Sequence, residues 1–333
     1  MGSRSKKARI WYGSGGRFLN DPTTSFKIFN FDAKYRSVFG ASRGGGGVKE
    51  KSVLSGLKIG VIGAGNMGKA LVKGLVEKSV YPQNISIFDL DKKKIDSIKK
   101  EAHVKLAKSN RHCASLSDVL ILAVKPKDIQ QVAEEIASVL EKDSLVISIA
   151  AGVTIAKIEA YFSARGGSAE GGKKPVSLVR VMPNMPALVG CGMSAFSPGK
   201  HATQKHKKIA EGILSAVGEV VETPERLLDL VTAVSGSGPA YFFLFAEKLI
   251  EAAYEMGMKV DVAKRLVYQT VLGSGKVLAQ SGEDPEVLIE RVASKGGTTE
   301  AALKIFQKEG IGKIIQEAVK AAYKRSKEIS RGE

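Results

Sequence analysis

With 333 residues, 44% of them hydrophobic and 26% charged, the chain can bury one large core or two ordinary ones. Two cysteines, Cys113 and Cys191, and four histidines exclude a disulfide framework and a Cys-rich zinc site, so no metal is expected; no apolar run approaches the roughly 20 residues of a membrane span. The net charge of +17 is concentrated at the front, where residues 1–57 hold eleven Lys/Arg against Asp21, Asp32 and Glu50; the body is only moderately basic, which suits small anionic ligands and argues against nucleic-acid or membrane partners.

Residues 1–56 read as a disordered basic leader, because residues 1–50 hold no sustained period of 2 or 3.6 and Arg43 is followed by four glycines, Gly44 to Gly47. An Arg- and Ser-bearing leader poor in acids is similar to an organellar transit peptide, although Asp21, Asp32 and a poor amphipathic pattern count against that. A cytoplasmic location is therefore the expectation, with plastid or mitochondrion as the alternative. A non-native upstream extension fits the same residues.

From Leu57 the pattern becomes regular. Leu57–Ile62 is expected to be a buried strand, Met67–Lys78 a helix and Ile85–Asp89 a strand. A charged helix, Lys92–Ala102, precedes the strand Val119–Val124, a helix near Ile129–Leu140, the strand Leu145–Ile149 and a helix from Thr154. Such alternation implies a doubly wound α/β sheet with parallel pairing and right-handed crossovers. Ala164–Lys174 reads as a Gly/Lys-rich surface loop, and Val176–Val181, Met193–Phe196 and the short Glu219–Val221 as the last strands. Beyond Leu227 only helices are expected: Tyr241–Met256, Val260–Gln280, Pro285–Val292, Thr299–Glu309 and Gly312–Ile329. The first carries Phe242, Phe243, Leu244, Phe245, Leu249 and Ile250 on most of its faces, which implies burial against a partner chain as well as its own.

Gly63-Ala64-Gly65-Asn66-Met67-Gly68 follows a strand and opens a helix, the context a G-x-G-x-x-G dinucleotide loop needs. Gly63 permits the tight turn, Gly65 lets a pyrophosphate approach, and Gly68 lets the helix pack on the strand. The phosphates then lie at the helix N-terminus. Asp89, about twenty residues beyond Gly68, would hold a ribose 2′-hydroxyl and favour NADH. Lys92, Lys93 and Lys94 follow it and could compensate a 2′-phosphate, so both cofactors stay open, with NADPH slightly favoured. A second small-residue turn, Ser235-Gly236-Ser237-Gly238-Pro239-Ala240-Tyr241, opens the apolar helix, with Ser237 as the expected N-cap and Pro239 in the first turn.

Ala123-Val124-Lys125-Pro126, Arg180-Val181-Met182-Pro183-Asn184, Ser235–Tyr241 and Ser294-Lys295-Gly296-Gly297-Thr298-Thr299 occur in an order that resembles the pyrroline-5-carboxylate reductases, from residue 57 to about 328. The resemblance implies a Rossmann-type dinucleotide-binding domain over 57–224 and an all-α substrate and dimerisation domain over 225–333. It implies NAD(P)H-dependent reduction of the C=N bond of 1-pyrroline-5-carboxylate to L-proline, the last step of proline biosynthesis. By position, the cofactor is expected at Gly63, Ala64, Gly65, Asn66, Met67 and Gly68, with Asn110 near the adenosine. Ala123, Val124, Lys125, Pro126, Ile149, Ala150 and Ala151 are expected around the nicotinamide ribose. The resemblance further implies that Ser294, Gly296, Gly297, Thr298 and Thr299 bind the substrate carboxylate. In that reading Thr299 reaches the ring nitrogen as the catalytic group, and the turn works across a homodimer or larger homo-oligomer interface. Without the resemblance, this segment is a plain helix cap or a carboxylate nest.

Two departures from the family pattern stand out. Lys295 replaces the usual Pro of the turn, and Met185 replaces the usual Thr after Asn184. The alternatives are a β-hydroxyacid dehydrogenase-like oxidoreductase, for which the apolar helix offers only Lys248, and a non-catalytic NAD(P)-binding protein on the same scaffold.

Overall fold

The computed structural model describes residues 53–141, 143–165 and 175–332. The leader and most of the Gly/Lys-rich segment therefore lie outside the described residues; Ala164 and Arg165, assigned to that loop, instead end a helix. Among the described residues, eight strands form one sheet: β1 (Ile59–Ile62), β2 (Ile85–Phe88), β3 (Lys105–Leu106), β4 (Val119–Leu122), β5 (Leu145–Ser148), β6 (Ser177–Met182), β7 (Gly192–Pro198) and β8 (Gly218–Glu222). Their order is β3-β2-β1-β4-β5-β6-β7-β8, so the direction of winding reverses between β1 and β4.

The central strands β1, β4 and β5 are short runs of residues buried on both faces, whereas the edge strands β3 and β8 are largely exposed. In β4, Val119 and Ile121 join the core on one side of the sheet, while Leu120 and Leu122 join the other. The first layer packs α1 (Asn66–Glu77), α2 (Lys92–Ala102) and α6 (Gln204–Leu214) against the sheet through Leu71, Leu75, Ile98, Ile209 and Ile213. The second packs α3 (Asn110–Ser115), α4 (Ile129–Ile136) and α5 (Ile155–Arg165) through Cys113, Ile129, Ile136 and Ile158. Each such aliphatic side chain contributes roughly 1.5–3 kcal/mol when fully buried.

Three expectations need correction. β6 and β7 pair antiparallel, because only the 3-10 turn Met185–Val189 joins them and no crossover helix intervenes. The strand β3 and the helices α3 and α6 were not foreseen. The first is only two residues long, α3 is a single polar-capped turn and a half, and α6 carries its four apolar positions among lysines and histidine. The expected N-cap Ser237 makes no capping bond and is itself helical, with φ −85° and ψ −24°.

The helical segment begins at the 3-10 turn Glu225–Leu227, followed by α7 (Leu228–Val231) and a π-helical turn, Thr232–Gly236. Then come α8 (Gly238–Glu255), α9 (Val260–Gln280), α10 (Pro285–Val292), α11 (Thr298–Lys308) and α12 (Ile311–Arg331). Because these pieces from Glu225 to Glu255 run together, they form a helix long and apolar enough to cross a membrane by length and composition, which the sequence pattern did not reveal. The charges at Glu247, Lys248 and Glu251 break up the apolar run in the sequence.

Two polar clusters fasten this segment, one to β6 and α5 and the other to α5 and within the segment itself. Arg180, only 4% exposed on β6, donates to Glu225 Oε1 at 2.9 Å, and the same oxygen accepts the N–H of Ile155 at the start of α5 at 2.7 Å. Removing Glu225 would leave the Arg180 charge buried and unpaired. At the far end, Ser326 and Ser330 of α12 both donate to Asp229 Oδ1 at 2.8 Å, and Lys157 Nζ donates to the Ser330 carbonyl at 2.7 Å.

A capping box starts α6: Thr203 Oγ1 accepts the His206 N–H, and the His206 Nδ1 accepts the Thr203 N–H. Burial, reinforced by the Lys205 charge and opposed by Asp143, holds the His206 imidazole below its usual range. The folded state thus favours the neutral ring that can accept, and this contribution is full above the unfolded pKa of about 6.5 and fades as pH falls through the folded value. Thermal unfolding between pH 8 and pH 5 should show an acid-side loss that His206→Gln flattens. An unchanged acid limb in the variant would exclude this cap as its cause.

Candidate active site at the switch point of the sheet

The carboxyl end of β1 runs straight into the glycine loop. Gly63 has φ +108°, and a Cβ there would stand 2.5 Å from the Ala123 carbonyl oxygen, so only glycine fits. A Cβ at Gly68 would strike the Gly63 carbonyl, which is what lets α1 lie close to the strand. Gly65 differs: a Cβ there meets nothing within 4 Å, and it caps α1 without a side-chain hydrogen bond. Open space in front of free helix N–H groups is what a pyrophosphate requires. Asn66 is exposed, Met67 is half-buried and Ala64 is buried beneath them.

Asp89 has a second role that its position in the sequence does not announce. Its Oδ2 accepts the Ala64 N–H at 2.7 Å and its Oδ1 accepts the Asp91 N–H at 2.8 Å. Both oxygens hold backbone, one of them inside the glycine loop. Asp91 caps α2 by accepting from Lys93 N, and Lys94 Nζ stands 3.9 Å from Asp89 and 3.7 Å from Asp91.

The strand ends next to β1 bring the other expected segments alongside. Ala123 donates to the Ile62 carbonyl at 2.7 Å and Ile149 to the Leu122 carbonyl at 3.1 Å, so Ala123–Pro126 and Ile149–Ala151 lie side by side with the loop. Lys125 and Pro126 are exposed at the mouth, and Ala150 is buried behind it. Asn110 opens α3 and donates to Glu135 Oε2 of α4 at 2.9 Å, at the edge of this row. Open α/β sheets bind ligands at this reversal of strand order.

β6 ends beside the π-helical turn. A Cβ at Gly236 would stand 2.5 Å from the Met182 methyl group, and Asn184 Nδ2 donates to Ser235 Oγ at 3.2 Å. Asn184 Oδ1 in turn accepts the Met193 N–H at 2.8 Å. Within the turn, Ser237 N–H reaches back five residues to the Thr232 carbonyl, bypassing the Ala233 carbonyl, which accepts from the Tyr241 hydroxyl at 3.0 Å. Single π turns inside helices are frequent at functional sites. The sequence marks Ser235–Tyr241 and Arg180–Asn184 as motifs, but neither the π register of the turn nor the bonds made by the Asn184 side chain were foreseen.

Ser294–Thr299 sits apart, on the connection from α10 to α11. Gly296 has φ +73°, Gly297 N–H donates to the Ser294 carbonyl at 2.9 Å, and Gly296 N–H donates to Glu300 Oε2 at 2.5 Å. That bond, with Lys304 at 3.0 Å, holds the Glu300 carboxyl below its usual range. Ser294, Lys295, Gly296 and Thr298 are exposed, Gly297 and Thr299 are half-exposed, and α11 buries no residue. Its inner face touches α8, where Phe306 and Phe245 stack obliquely with centroids 6.1 Å apart. In α8 only Gly238 and Ala246 are buried, while Phe242 is 65% and Phe243 59% exposed. A single subunit therefore presents the glycine loop and its neighbouring strand ends on the sheet, and the Ser294–Thr299 turn beside a wide apolar face.

Thiol chemistry has no place in this arrangement. Burial pushes the Cys113 thiol up to about 11, and burial also raises Cys191. Neither sulfur is a thiolate near neutral pH.

Two family models match, one within the sheet-bearing part and one over the helical segment. Residues 58–152 match the family description "NADP oxidoreductase coenzyme F420-dependent", and residues 225–329 match "Pyrroline-5-carboxylate reductase dimerisation". The pyrroline-5-carboxylate reductase of Synechocystis is 37% identical over 276 residues, covering 83% of this chain and 99% of that protein. A solved pyrroline-5-carboxylate reductase from Coxiella burnetii is 35% identical with a TM-score of 0.75, covering 82% of this chain and 98% of that one. The Plasmodium falciparum enzyme, solved with NADP bound, is 31% identical with a TM-score of 0.71, covering 83% and 98%. Full-length likeness at these identities, together with a dinucleotide loop and a helical dimerisation segment, places the chain in the pyrroline-5-carboxylate reductase family.

Proposed function

We propose that the chain reduces 1-pyrroline-5-carboxylate with NADPH, as a homodimer in which the sheet of one subunit and the Ser294–Thr299 turn of the other form each site. The reaction itself, reduction of the cyclic imine to L-proline, is that of the family to which the chain belongs. The observation that carries the cofactor reading is the open space before Gly65, flanked by the ends of β4 and β5. When bound there, NADPH supplies the hydride. Gly63–Gly68 and the N–H groups that open α1 would hold its phosphates, and Ala123–Pro126 and Ile149–Ala151, side by side with the loop, would wall the ribose and ring.

The substrate is a planar imine bearing a carboxylate. Ser294, Gly296, Gly297 and Thr298 offer hydroxyl and backbone donors to that carboxylate, and Lys295 adds charge beside it. Thr299 at the second position of α11 holds the ring nitrogen with its hydroxyl. Protonation of that nitrogen makes the carbon electrophilic; hydride adds to carbon, the C=N π pair becomes the nitrogen lone pair, and a secondary amine results. Positioning and charge stabilisation are the protein's share.

The preference for NADPH is supported by the lysines. Asp89 already spends both oxygens on backbone N–H groups, while Lys92, Lys93 and Lys94 gather at the end of β2 where a 2′-phosphate would lie. Charge-assisted contacts of this kind favour NADPH over NADH by about tenfold or more in kcat/KM. Steady-state reduction of 1-pyrroline-5-carboxylate with each cofactor checks both parts. An NADH preference would overturn the lysine reading, and no turnover with either would overturn the function.

A further inference from the structure

The donor directions around Asn184 are fixed by chemistry. A backbone N–H can only donate, so the Asn184 side-chain atom facing Met193 N at 2.8 Å is its oxygen. The opposite atom, 3.2 Å from Ser235 Oγ, is therefore the NH2 group, which also can only donate. Ser235 Oγ must accept that bond, and its own hydrogen is left to point elsewhere. The hydroxyl is half-buried on the π turn, next to Gly236 under Met182 at the carboxyl end of β6. The turn is pinned at both ends, by Thr232 Oγ1 donating to the Leu228 carbonyl at 2.8 Å and by Tyr241 donating to the Ala233 carbonyl. Three side-chain bonds thus hold the π register and fix where the Ser235 hydroxyl sits, and single π turns of this kind are frequent at functional sites.

We propose that Asn184 is a positioning residue of the reductase, holding the Ser235 hydroxyl as a hydrogen-bond donor directed at an oxygen acceptor in the reaction cleft. This rests on the placement of the cleft at the ends of β4 to β6 given above. The acceptor is an oxygen of the bound pair, either the substrate carboxylate or the nicotinamide carboxamide. Both share the same demand for one neutral donor, and binding measurements separate them. Asn184 touches no reacting atom in this reading; it acts through Ser235, and the β6–β7 turn that Met193 begins to close serves as its anchor.

Asn184→Asp is the sharp test, because it keeps shape and keeps the acceptor for Met193 N–H while replacing the donor facing Ser235 by a second acceptor. Ser235 would then donate inward and lose its free hydrogen. The expected result is a fall in kcat of about tenfold in Asn184→Asp and in Ser235→Ala, with no further fall in the double variant. A matching rise in the dissociation constant of NADPH assigns the acceptor to the carboxamide, and a rise in KM for the imine assigns it to the carboxylate. Full kcat in Ser235→Ala, or losses that simply add in the double variant, would overturn the inference. Ser235→Ala removes a single oxygen, so it decides the matter even if Asn184→Asp does not fold. Thr299→Ala, assayed in parallel, separates the levels: if it alone is impaired, only the Asn184 inference fails, and if neither is impaired, the placement of the cleft fails with it.

Discussion

Thr299→Ala should lower kcat by about a hundredfold while leaving the affinity for NADPH unchanged. The hydroxyl lies at the second residue of α11, half-exposed, in a turn whose geometry is set by other atoms. Gly296 supplies the left-handed conformation, Gly297 N–H closes on the Ser294 carbonyl, and Glu300 takes the Gly296 N–H. None of those bonds involves the Thr299 side chain, so its removal takes away one hydrogen-bonding group and leaves the turn standing. A hydroxyl that strengthens its bond as charge changes on the ring nitrogen acts on the transition state more than on binding. The loss should therefore fall on kcat with KM moving by less, and Thr299→Ser should restore most of it. Fluorescence titration with NADPH, beside steady-state assays of the imine, reads both. Weakened NADPH binding together with intact kcat would show that Thr299 belongs to the cofactor and not to the substrate.

Much of this architecture was legible in the sequence, for physical reasons that differ by region. Strands buried on both faces are continuous apolar runs, so β1, β4 and β5 stood out, and the glycines at 63 and 68 could be placed because no other residue fits between the loop and its neighbours. The long helix α9 and the short α10 matched residue for residue. What stayed hidden is tertiary. A pair such as Arg180 and Glu225 is 45 residues apart in the chain and meets only because the helical segment starts against β6. The engagement of Asp89 by the Ala64 N–H likewise depends on how the loop folds back over β2. The π turn left no pattern because it differs from an α turn by one inserted residue, and Ser237 lost its expected capping role to that insertion. Alternation implied parallel pairing throughout, and it failed at β7, where a five-residue 3-10 turn replaced a crossover.

The exposed face of α8 and the solvent-facing Ser294–Thr299 turn point to one more experiment, whose outcome is nearly all or none. If each site joins the glycine loop of one subunit to the turn of the other, two differently broken subunits should repair each other. Gly65→Val is a suitable partner for Thr299→Ala: Gly65 has φ −69°, a conformation open to valine, and no atom lies within 4 Å of its Cβ, so the side chain fits the fold but fills the space the phosphates need. Each variant alone should be nearly inactive. Unfolded together and refolded as a mixture, half of the dimers should be hybrids, each with one site made of two intact halves, restoring about a quarter of the wild-type activity per site. With loop and turn from the same subunit, every site in the mixture would carry one defect and activity would stay at the level of the separate variants. The same interface predicts that the mixture must be refolded or held at a concentration where subunits exchange, since the wide apolar surface around Phe242 and Phe243 disfavours free monomers. Recovery that tracks subunit exchange would place Thr299 opposite the glycine loop of its neighbour, and its absence under full exchange would place both halves of the site in one chain.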